Sequence, residues 1–221
     1  NESTNIQKST AREQKYQETQ WLNVDKFQKG SEQAIVAAIE AGTALAVSDG
    51  SYIEDSGVGT ASWIILNNTG DKYITAGALS PGPPKIQNLY RSELVGITGV
   101  LENLLILCKK WNIQKGGCKI ICDGLSALNQ VAVANKEKLH TRFSSDDLLS
   151  TCSDIKEQLN IDLEFIHVKG HQDASTDFQL LPLPVQMNIM MDTLAKELAR
   201  NTTSVECINL QEHKLGYGIV Q

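Results

Sequence analysis

The stretch on which the fold prediction depends is residues 44–52, ALAVSDGSY. Its apolar first half is typical of a strand that is buried on both faces of a sheet. Because side chains alternate along a strand, Asp49 shares a face with Leu45 and Val47. A carboxylate on that face either caps a turn, for which an Asp-Gly pair is common, or meets a cation. Other charged residues elsewhere in the chain decide between these two interpretations.

The composition is that of one globular domain with a peripheral segment. The chain has 221 residues, of which 41% are hydrophobic and 21% charged. Its formal net charge of −6 argues against a protein that holds nucleic acid by bulk electrostatics alone. The five cysteines form no Cys-x-x-Cys pair, so we expect reduced thiols in an intracellular protein. No apolar run approaches the roughly 20 residues of a membrane span, so no membrane contact is expected.

The chain is expected to have three parts. Residues 1–42 are predicted to be a polar leader that ends in a short helix, with Ser31 as N-cap and Gly42 as stop. The core is predicted over residues 43–201, and residues 202–221 form a tail. The first residue is Asn rather than Met, as expected of a domain cut from a longer chain.

The core region alternates between strand and helix patterns. The order is strand, strand, strand, helix, strand, helix, helix, strand, helix. The first three strands are predicted to form an antiparallel meander, with a turn at residues 67–71, NNTGD. Helices separate the later strands, which is typical of parallel pairing. The pattern therefore predicts a mixed α/β sheet covered by helices on both faces.

Glu93 is an acidic residue in the apolar stripe of the first long helix. Spacings of four, three, four and three residues align it with Ile97, Val100, Leu104 and Leu107. A carboxylate in a buried stripe is costly unless it is paired or coordinated. The alternative is an ordinary first-turn glutamate, which the helix dipole favours.

Asp123 repeats the arrangement of Asp49, because an apolar strand again ends in Asp-Gly at residues 123–124. Two strands of one sheet then each carry an aspartate at the carboxyl end, where open α/β sheets bind ligands. The alternative is a pair of turn caps. Asp192 lies at the margin of the apolar face of the last helix, where a solvent-edge aspartate is also ordinary.

Together these four carboxylates predict a metal site. If they converge, their mutual repulsion raises their pKa values unless a cation neutralises them. A cluster of carboxylate oxygens selects Mg²⁺ or Mn²⁺ rather than zinc. Because Mg²⁺ also accepts phosphate oxygens of a substrate, the cluster indicates phosphodiester chemistry.

The chain resembles the ribonuclease H family. The motifs that carry the resemblance are residues 48–52 (SDGSY), 90–96 (YRSELVG), 122–128 (CDGLSAL), 168–173 (VKGHQD) and 188–199 (NIMMDTLAKELA). The forms YRSELVG and VKGHQD are similar to domains fused to retroelement reverse transcriptases. A polymerase domain in the same or a partner chain is therefore an expected partner, and a monomer is the default expectation for the oligomeric state.

The resemblance implies a ribonuclease H-like fold, with a five-stranded sheet of three antiparallel and two parallel strands flanked by helices. It implies endonucleolytic cleavage of the RNA strand of an RNA/DNA hybrid, leaving 5′-phosphate and 3′-hydroxyl ends. By the same resemblance, two Mg²⁺ ions, or Mn²⁺ as a substitute, would be bound by Asp49, Glu93, Asp123 and Asp192. One ion would act on the attacking water and the other on the leaving 3′-oxygen, with Asp49 as bridging ligand. His171 would assist proton transfer or product release.

The resemblance also suggests substrate contacts. Gly50 and the backbone around Ser51 would let a nucleotide approach, although a turn hydroxyl is an equal alternative for Ser51. Arg91 would contact the RNA strand, and Asn188 is a further candidate. Residues 135–143, NKEKLHTRF, carry Lys136, Lys138, His140 and Arg142 and would form a short substrate-binding protrusion, with a plain solvated loop as the alternative.

The chain departs from the family pattern in three places, one of which is residues 87–90, QNLY, where the polar RNA contacts of Asn88 are left open. Ile189 stands where relatives commonly have a glutamate, so a helper carboxylate is missing. Residues 172–186 form a longer loop than a minimal enzyme has after its histidine, and they could fold over the site. A zinc pair of His167 and His171 is disfavoured, because a strand and a loop carry them separately. The alternative to an enzyme is a catalytically inactive ribonuclease H-like module that positions nucleic acid within a reverse transcriptase; retention of all four carboxylates favours the enzyme.

Overall fold

A computed structural model describes residues 31–135, 145–170, 172 and 175–202. Its helices and strands are α1 (Ser31–Glu40), β1 (Ala44–Ile53), β2 (Val58–Leu66), β3 (Tyr73–Leu79), α2 (Leu89–Trp111), β4 (Gly117–Cys122), α3 (Leu125–Val133), α4 (Asp146–Gln158), β5 (Asp162–His167) and α5 (Leu183–Asn201). Short 3-10 turns lie at Pro84–Ile86 and Phe178–Leu180. The predictions for residues 1–30, for the four basic side chains Lys136, Lys138, His140 and Arg142, for His171 and for the tail from residue 203 lie outside the described residues.

The strands form one five-stranded sheet in the order β3-β2-β1-β4-β5. β1 pairs antiparallel with β2, and β2 pairs antiparallel with β3. β4 pairs parallel with β1, and β5 pairs parallel with β4. The predicted mixed sheet, with three antiparallel and two parallel strands, is therefore confirmed. Its central strand is β1, the strand from which the prediction started.

The two faces of the sheet contribute to two separate apolar clusters. Ala44 and Ala46 of β1 belong to a large cluster with α1, α2, α3 and α4. Val47 belongs to a smaller cluster beneath α5, and Leu45 packs against that cluster. The alternation predicted for β1 is therefore confirmed, and it assigns Asp49 to the α5 side of the sheet.

The apolar stripe of α2 faces the sheet as predicted. Ile97, Val100 and Leu104 are fully buried, and Leu107 is 5% exposed. The helix lies very close to β2, because a Cβ added to Gly99 would lie 2.6 Å from the indole ring of Trp63. This close contact between α2 and β2 fixes the direction from which the first turns of α2 approach the sheet.

The first turns of α2 and α4 are stabilised in different ways. Asn88 caps α2, since its Oδ1 accepts a hydrogen bond from the Arg91 amide at 2.8 Å. Ser145 occupies the N-cap position of α4, but its side chain makes no capping hydrogen bond. The acidic residues Asp146 and Asp147 in the first turn of α4 supply the negative charge that a helix N-terminus favours.

Helix α1 is part of the core, although the sequence assigned it to the leader. Ile35 and Ile39 are fully buried in the large cluster, and Gly42 follows the helix with a φ of 70° that favours glycine. The boundary after residue 42 stays a prediction. Cys118 and Cys122 are buried and free, as expected of core thiols. No helix within the described ranges is both long and apolar enough to cross a membrane.

Candidate active site

β1 and β4 stop pairing immediately before two aspartates. Their parallel pairing ends at Val47↔Ile121, whereas β1 continues its pairing with β2 as far as Ile53. Asp49 therefore lies inside β1 rather than at its end, and it does not cap a turn. Strands that separate at their carboxyl ends leave a crevice of the kind in which open α/β sheets bind ligands.

Asp49 is a buried carboxylate with few compensating contacts. Its side chain is 5% exposed. Oδ1 accepts a hydrogen bond from the Gly50 amide at 2.7 Å, and Asn188 Nδ2 donates to Oδ2 at 3.4 Å. Burial, reinforced by the charges of Asp123 and Asp192, raises the pKa of Asp49 to about 8. At neutral pH the group therefore needs a proton or a cation.

Asp123 follows β4 and has an unsatisfied oxygen. Its Oδ1 is buried, and no described residue forms a hydrogen bond with it. Its Oδ2 points at Gly170, where an added Cβ would overlap with it. His167 Nε2 lies 3.1 Å from the backbone oxygen of Asp123. A buried carboxylate oxygen without a donor is a favourable place for a cation.

Glu93 reaches the same cluster from the second turn of α2. Burial and, to a smaller extent, the charge of Asp123 raise its pKa to about 7. A Cβ added to Gly124 would overlap with the carboxylate of Glu93. Gly124 is therefore required for Glu93 and Asp123 to lie side by side, a role that the Asp-Gly turn motif did not reveal.

Asp192 and Asn188 come to the cluster from α5, one turn apart. The side chain of Asp192 is 22% exposed, and Lys196 Nζ lies 2.7 Å from its Oδ2. Asn188 is 2% exposed, and its Nδ2 donates to Oδ2 of Asp49. This burial favours an orienting contact with Asp49 over the substrate contact predicted for Asn188.

The predicted substrate contacts at Gly50 and Ser51 lie beside Asp49 on β1. A Cβ added to Gly50 would lie 2.5 Å from the amide nitrogen of Glu93 and 2.6 Å from the carbonyl carbon of Ser92. Gly50 thus lets the first turns of α2 lie against β1, which is a packing role. Ser51 is 8% exposed. The approach of a nucleotide to either residue stays a prediction.

Arg91 does not fit its predicted contact with an RNA strand. Its side chain is fully buried. Nε donates to Pro81 O at 2.9 Å, and the two terminal nitrogens donate to the carboxylate oxygens of Asp147 at 2.8 and 2.5 Å. Because the guanidinium is enclosed and bonded in this way, the geometry favours a structural role in which Arg91 joins α2 to the first turn of α4, and the RNA contact stays a prediction.

The donor set fits a hard divalent cation. All four side chains offer carboxylate oxygens, three of them act on the pKa of Asp49, and Asp123 has a buried oxygen without a donor. Within the described part of the chain, no group of three or more His, Cys, Asp or Glu side chains is already arranged as a metal site. The metal ions therefore stay a prediction, as does the role of His171.

No family model and no curated protein matches the chain. Solved structures do. The crystal structure of LC11-RNase H1 in complex with an RNA/DNA hybrid aligns with a TM-score of 0.52 and 13% identity, covering 73% of this chain and 99% of that one. LC11-RNase H1, isolated from compost by a metagenomic approach, aligns with a TM-score of 0.48 and 16% identity over 74% of this chain and 99% of that one.

RNase H1 from the halophilic archaeon Halobacterium salinarum NRC-1 is a third such structure. It aligns with a TM-score of 0.47 and 14% identity, covering 72% of this chain and 98% of that one. At identities this low, the similarity describes the path of the backbone.

Proposed function

Because the chain has the ribonuclease H fold, we propose that it is an endoribonuclease that hydrolyses the RNA strand of RNA/DNA hybrids, leaving 5′-phosphate and 3′-hydroxyl ends. One observation carries the proposal. The buried carboxylate of Asp49 meets other carboxylates where β1 and β4 separate, and burial together with the charges of Asp123 and Asp192 raises its pKa to about 8. Such a cluster destabilises a fold, so its presence favours a site that binds cations and an anionic substrate.

Asp49, Glu93, Asp123 and Asp192 would hold Mg²⁺, with Mn²⁺ as a substitute. Divalent cations bound there would stabilise the attacking and leaving oxygens of an in-line displacement at phosphorus. The chain itself supplies orientation. Asn188 holds Oδ2 of Asp49, while Gly124 leaves room for the carboxylate of Glu93. His171 follows Gly170, which lies against Asp123, and we assign it proton transfer or product release.

The substrate preference is part of the same proposal. A structure with this fold was solved with an RNA/DNA hybrid, which supports the hybrid as the substrate class. Selectivity would come from contacts with 2′-hydroxyl groups across a shallow minor groove. The net charge of −6 favours weak binding by the isolated domain, so a polymerase domain in the same or a partner chain would supply additional affinity. The motif forms YRSELVG and VKGHQD support a retroelement origin.

The test is cleavage of a hybrid whose RNA strand is labelled. With Mg²⁺ the protein should cut the RNA of the hybrid and spare single-stranded RNA and double-stranded DNA, and EDTA should stop the reaction. Asp123→Asn should abolish cutting. The matched control is Asp162→Asn, an exposed aspartate at the first residue of β5, the opposite end of the parallel strands. Equal activity of wild type and Asp123→Asn would refute the proposal, and folded protein without any cutting would favour the inactive module.

A further inference from the structure

Two buried hydroxyl groups of β2 bond to the backbone of α5. Thr60 Oγ1 donates to Ala195 O at 2.7 Å, and Ser62 Oγ donates to Met191 O at 2.7 Å. Thr60 is fully buried, and Ser62 is 2% exposed. The donors are two residues apart on one face of the strand, and the acceptors are four residues apart on one side of the helix. The strand therefore contacts two successive turns of α5.

The spacing of these bonds restricts the position of the helix. Two residues of a strand span about 6.6 Å, and one helical turn rises about 5.4 Å. Because these two lengths are similar, both bonds can form together when α5 lies at one position along its axis. A shift by one residue would turn the acceptor carbonyls by about 100° around the helix axis and break both bonds.

The two hydroxyl groups lie next to the proposed cluster. Ser62 is the register partner of Asp49 on the neighbouring strand. Its acceptor, Met191, immediately precedes Asp192, and Asn188 lies one turn earlier and donates to Asp49. The position of α5 thus determines how Asp192 and Asn188 meet Asp49.

The contact between helix and sheet is close because the facing residues are small. Gly77 of β3 is the register partner of Ser62, and a Cβ added there would lie 3.4 Å from Leu198 Cδ2. Ala195 is fully buried, and Ala199 is 2% exposed. Larger side chains at these positions would hold α5 away from β2 and lengthen both bonds.

We infer that Thr60 and Ser62 are positioning residues, which hold α5 so that Asp192 and Asn188 face Asp49. The inference rests on the proposed function, since it concerns the same carboxylates. Neither residue needs to touch substrate or metal. A role in stability alone would predict a lower Tm with unchanged cation binding, whereas a positioning role predicts weaker cation binding in protein that is still folded.

The test measures Mn²⁺ binding to folded protein by calorimetry and by electron paramagnetic resonance. The variants are Thr60→Val, Ser62→Ala and their combination, with Thr60→Ser as the conservative replacement. The matched control is Thr98→Val, because Thr98 is also fully buried and its Oγ1 donates to Leu94 O at 2.7 Å within α2. The double variant should bind Mn²⁺ about tenfold more weakly, and Thr60→Ser should keep the wild-type affinity. Cleavage should show a lower kcat with an unchanged KM for hybrid.

The outcomes separate the two proposals. If the wild type binds Mn²⁺ and the Thr60 and Ser62 variants bind it equally well, the positioning role is wrong. If Thr98→Val weakens Mn²⁺ binding as much as Thr60→Val, the effect is general destabilisation and the inference fails. If the wild type binds no Mn²⁺, or if Asp49→Asn binds Mn²⁺ as well as the wild type, the proposed function itself fails. If the double variant does not fold, the Mn²⁺ affinity of Ser62→Ala alone decides the test. Met191 loses the bond from Ser62 in that variant but remains within α5.

Discussion

Asp49 in β1 and Asp123 just after β4 occupy equivalent positions, each two residues beyond the last pair, Val47↔Ile121, that joins the two strands. The separation of the strands thus brings together two anions from distant parts of the chain, and Glu93 joins them from α2. Their repulsion is visible in the pKa of Asp49, which Asp123, Asp192 and Glu93 all raise. Repulsion within such a site lowers the stability of the metal-free protein, and a bound cation would relieve it.

Removal of the most buried charge should stabilise the protein when no metal is present. Asp49→Asn keeps the size of the side chain and relieves repulsion from Asp123 and Asp192. We expect a gain of about 1 kcal/mol in EDTA, which raises Tm by about 2–4 °C in a chain of this size. Cleavage of the hybrid should be lost. Thermal melts with Asp162→Asn as the matched control test this, and a lower Tm for Asp49→Asn would contradict it.

The metal-free protein should lose stability as the pH rises. The pKa of Asp49 rises from 3.8 to about 8 on folding, and that of Glu93 rises from 4.5 to about 7. At pH values between the ordinary and the raised pKa of each group, the folded state binds more protons than the unfolded state. The free energy of unfolding therefore falls with increasing pH. Urea denaturation in EDTA between about pH 5.5 and pH 8 should show a falling midpoint.

Two comparisons check the origin of that pH dependence. The double variant Asp49→Asn/Glu93→Gln should show a flatter profile than the wild type, because both titrating groups are gone. Mg²⁺ should restore much of the lost stability near pH 8, since a cation then replaces the protons. A profile that is the same for wild type and double variant would rule out these two carboxylates as its source.

Side chains at two glycines should disturb the cluster. A Cβ at Gly124 would overlap with Glu93, and a Cβ at Gly170 would overlap with Asp123. We expect Gly124→Ala and Gly170→Ala to weaken Mn²⁺ binding by about tenfold or more while the fold is retained. Gly117→Ala is the matched control, because an added Cβ there lies no closer than 3.3 Å to a neighbour. Unchanged Mn²⁺ affinity in Gly124→Ala would be inconsistent with the described position of Glu93.

Loss of the Arg91–Asp147 pair should lower stability rather than hybrid affinity. Arg91 is fully buried, and Asp147 is 37% exposed, so Arg91→Met should cost about 2–4 kcal/mol in the free energy of unfolding. Arg91→Lys should recover part of this, because it keeps the charge but not the two parallel bonds. Urea denaturation gives the cost, and KM for hybrid should stay within about twofold in any folded variant. A raised KM without loss of stability would instead support the RNA contact predicted for Arg91.

Periodicity predicted the mixed sheet, which is confirmed, and charge placement selected three of the four carboxylates, whose role in metal binding stays a prediction. Asp49 and Glu93 are detectable because a charge at an apolar position breaks a regular pattern. The pairing of Arg91 with Asp147 could not be predicted, because Asp147 lies 56 residues away along the chain and periodicity carries no information about such a pair. Ser62 gave no signal either, since a serine in an apolar strand is ordinary until the position of α5 is known.

Gly124 and Gly170 also limit how the cluster could be transferred to another protein. Grafting Asp49, Glu93, Asp123 and Asp192 onto a different sheet would reproduce the ligands but not the empty volume beside them. The two glycines supply that volume, and their contribution is a missing methyl group rather than a contact. A designer of nucleases would therefore copy six positions, and a search for distant relatives would gain by weighting both glycines with the acids.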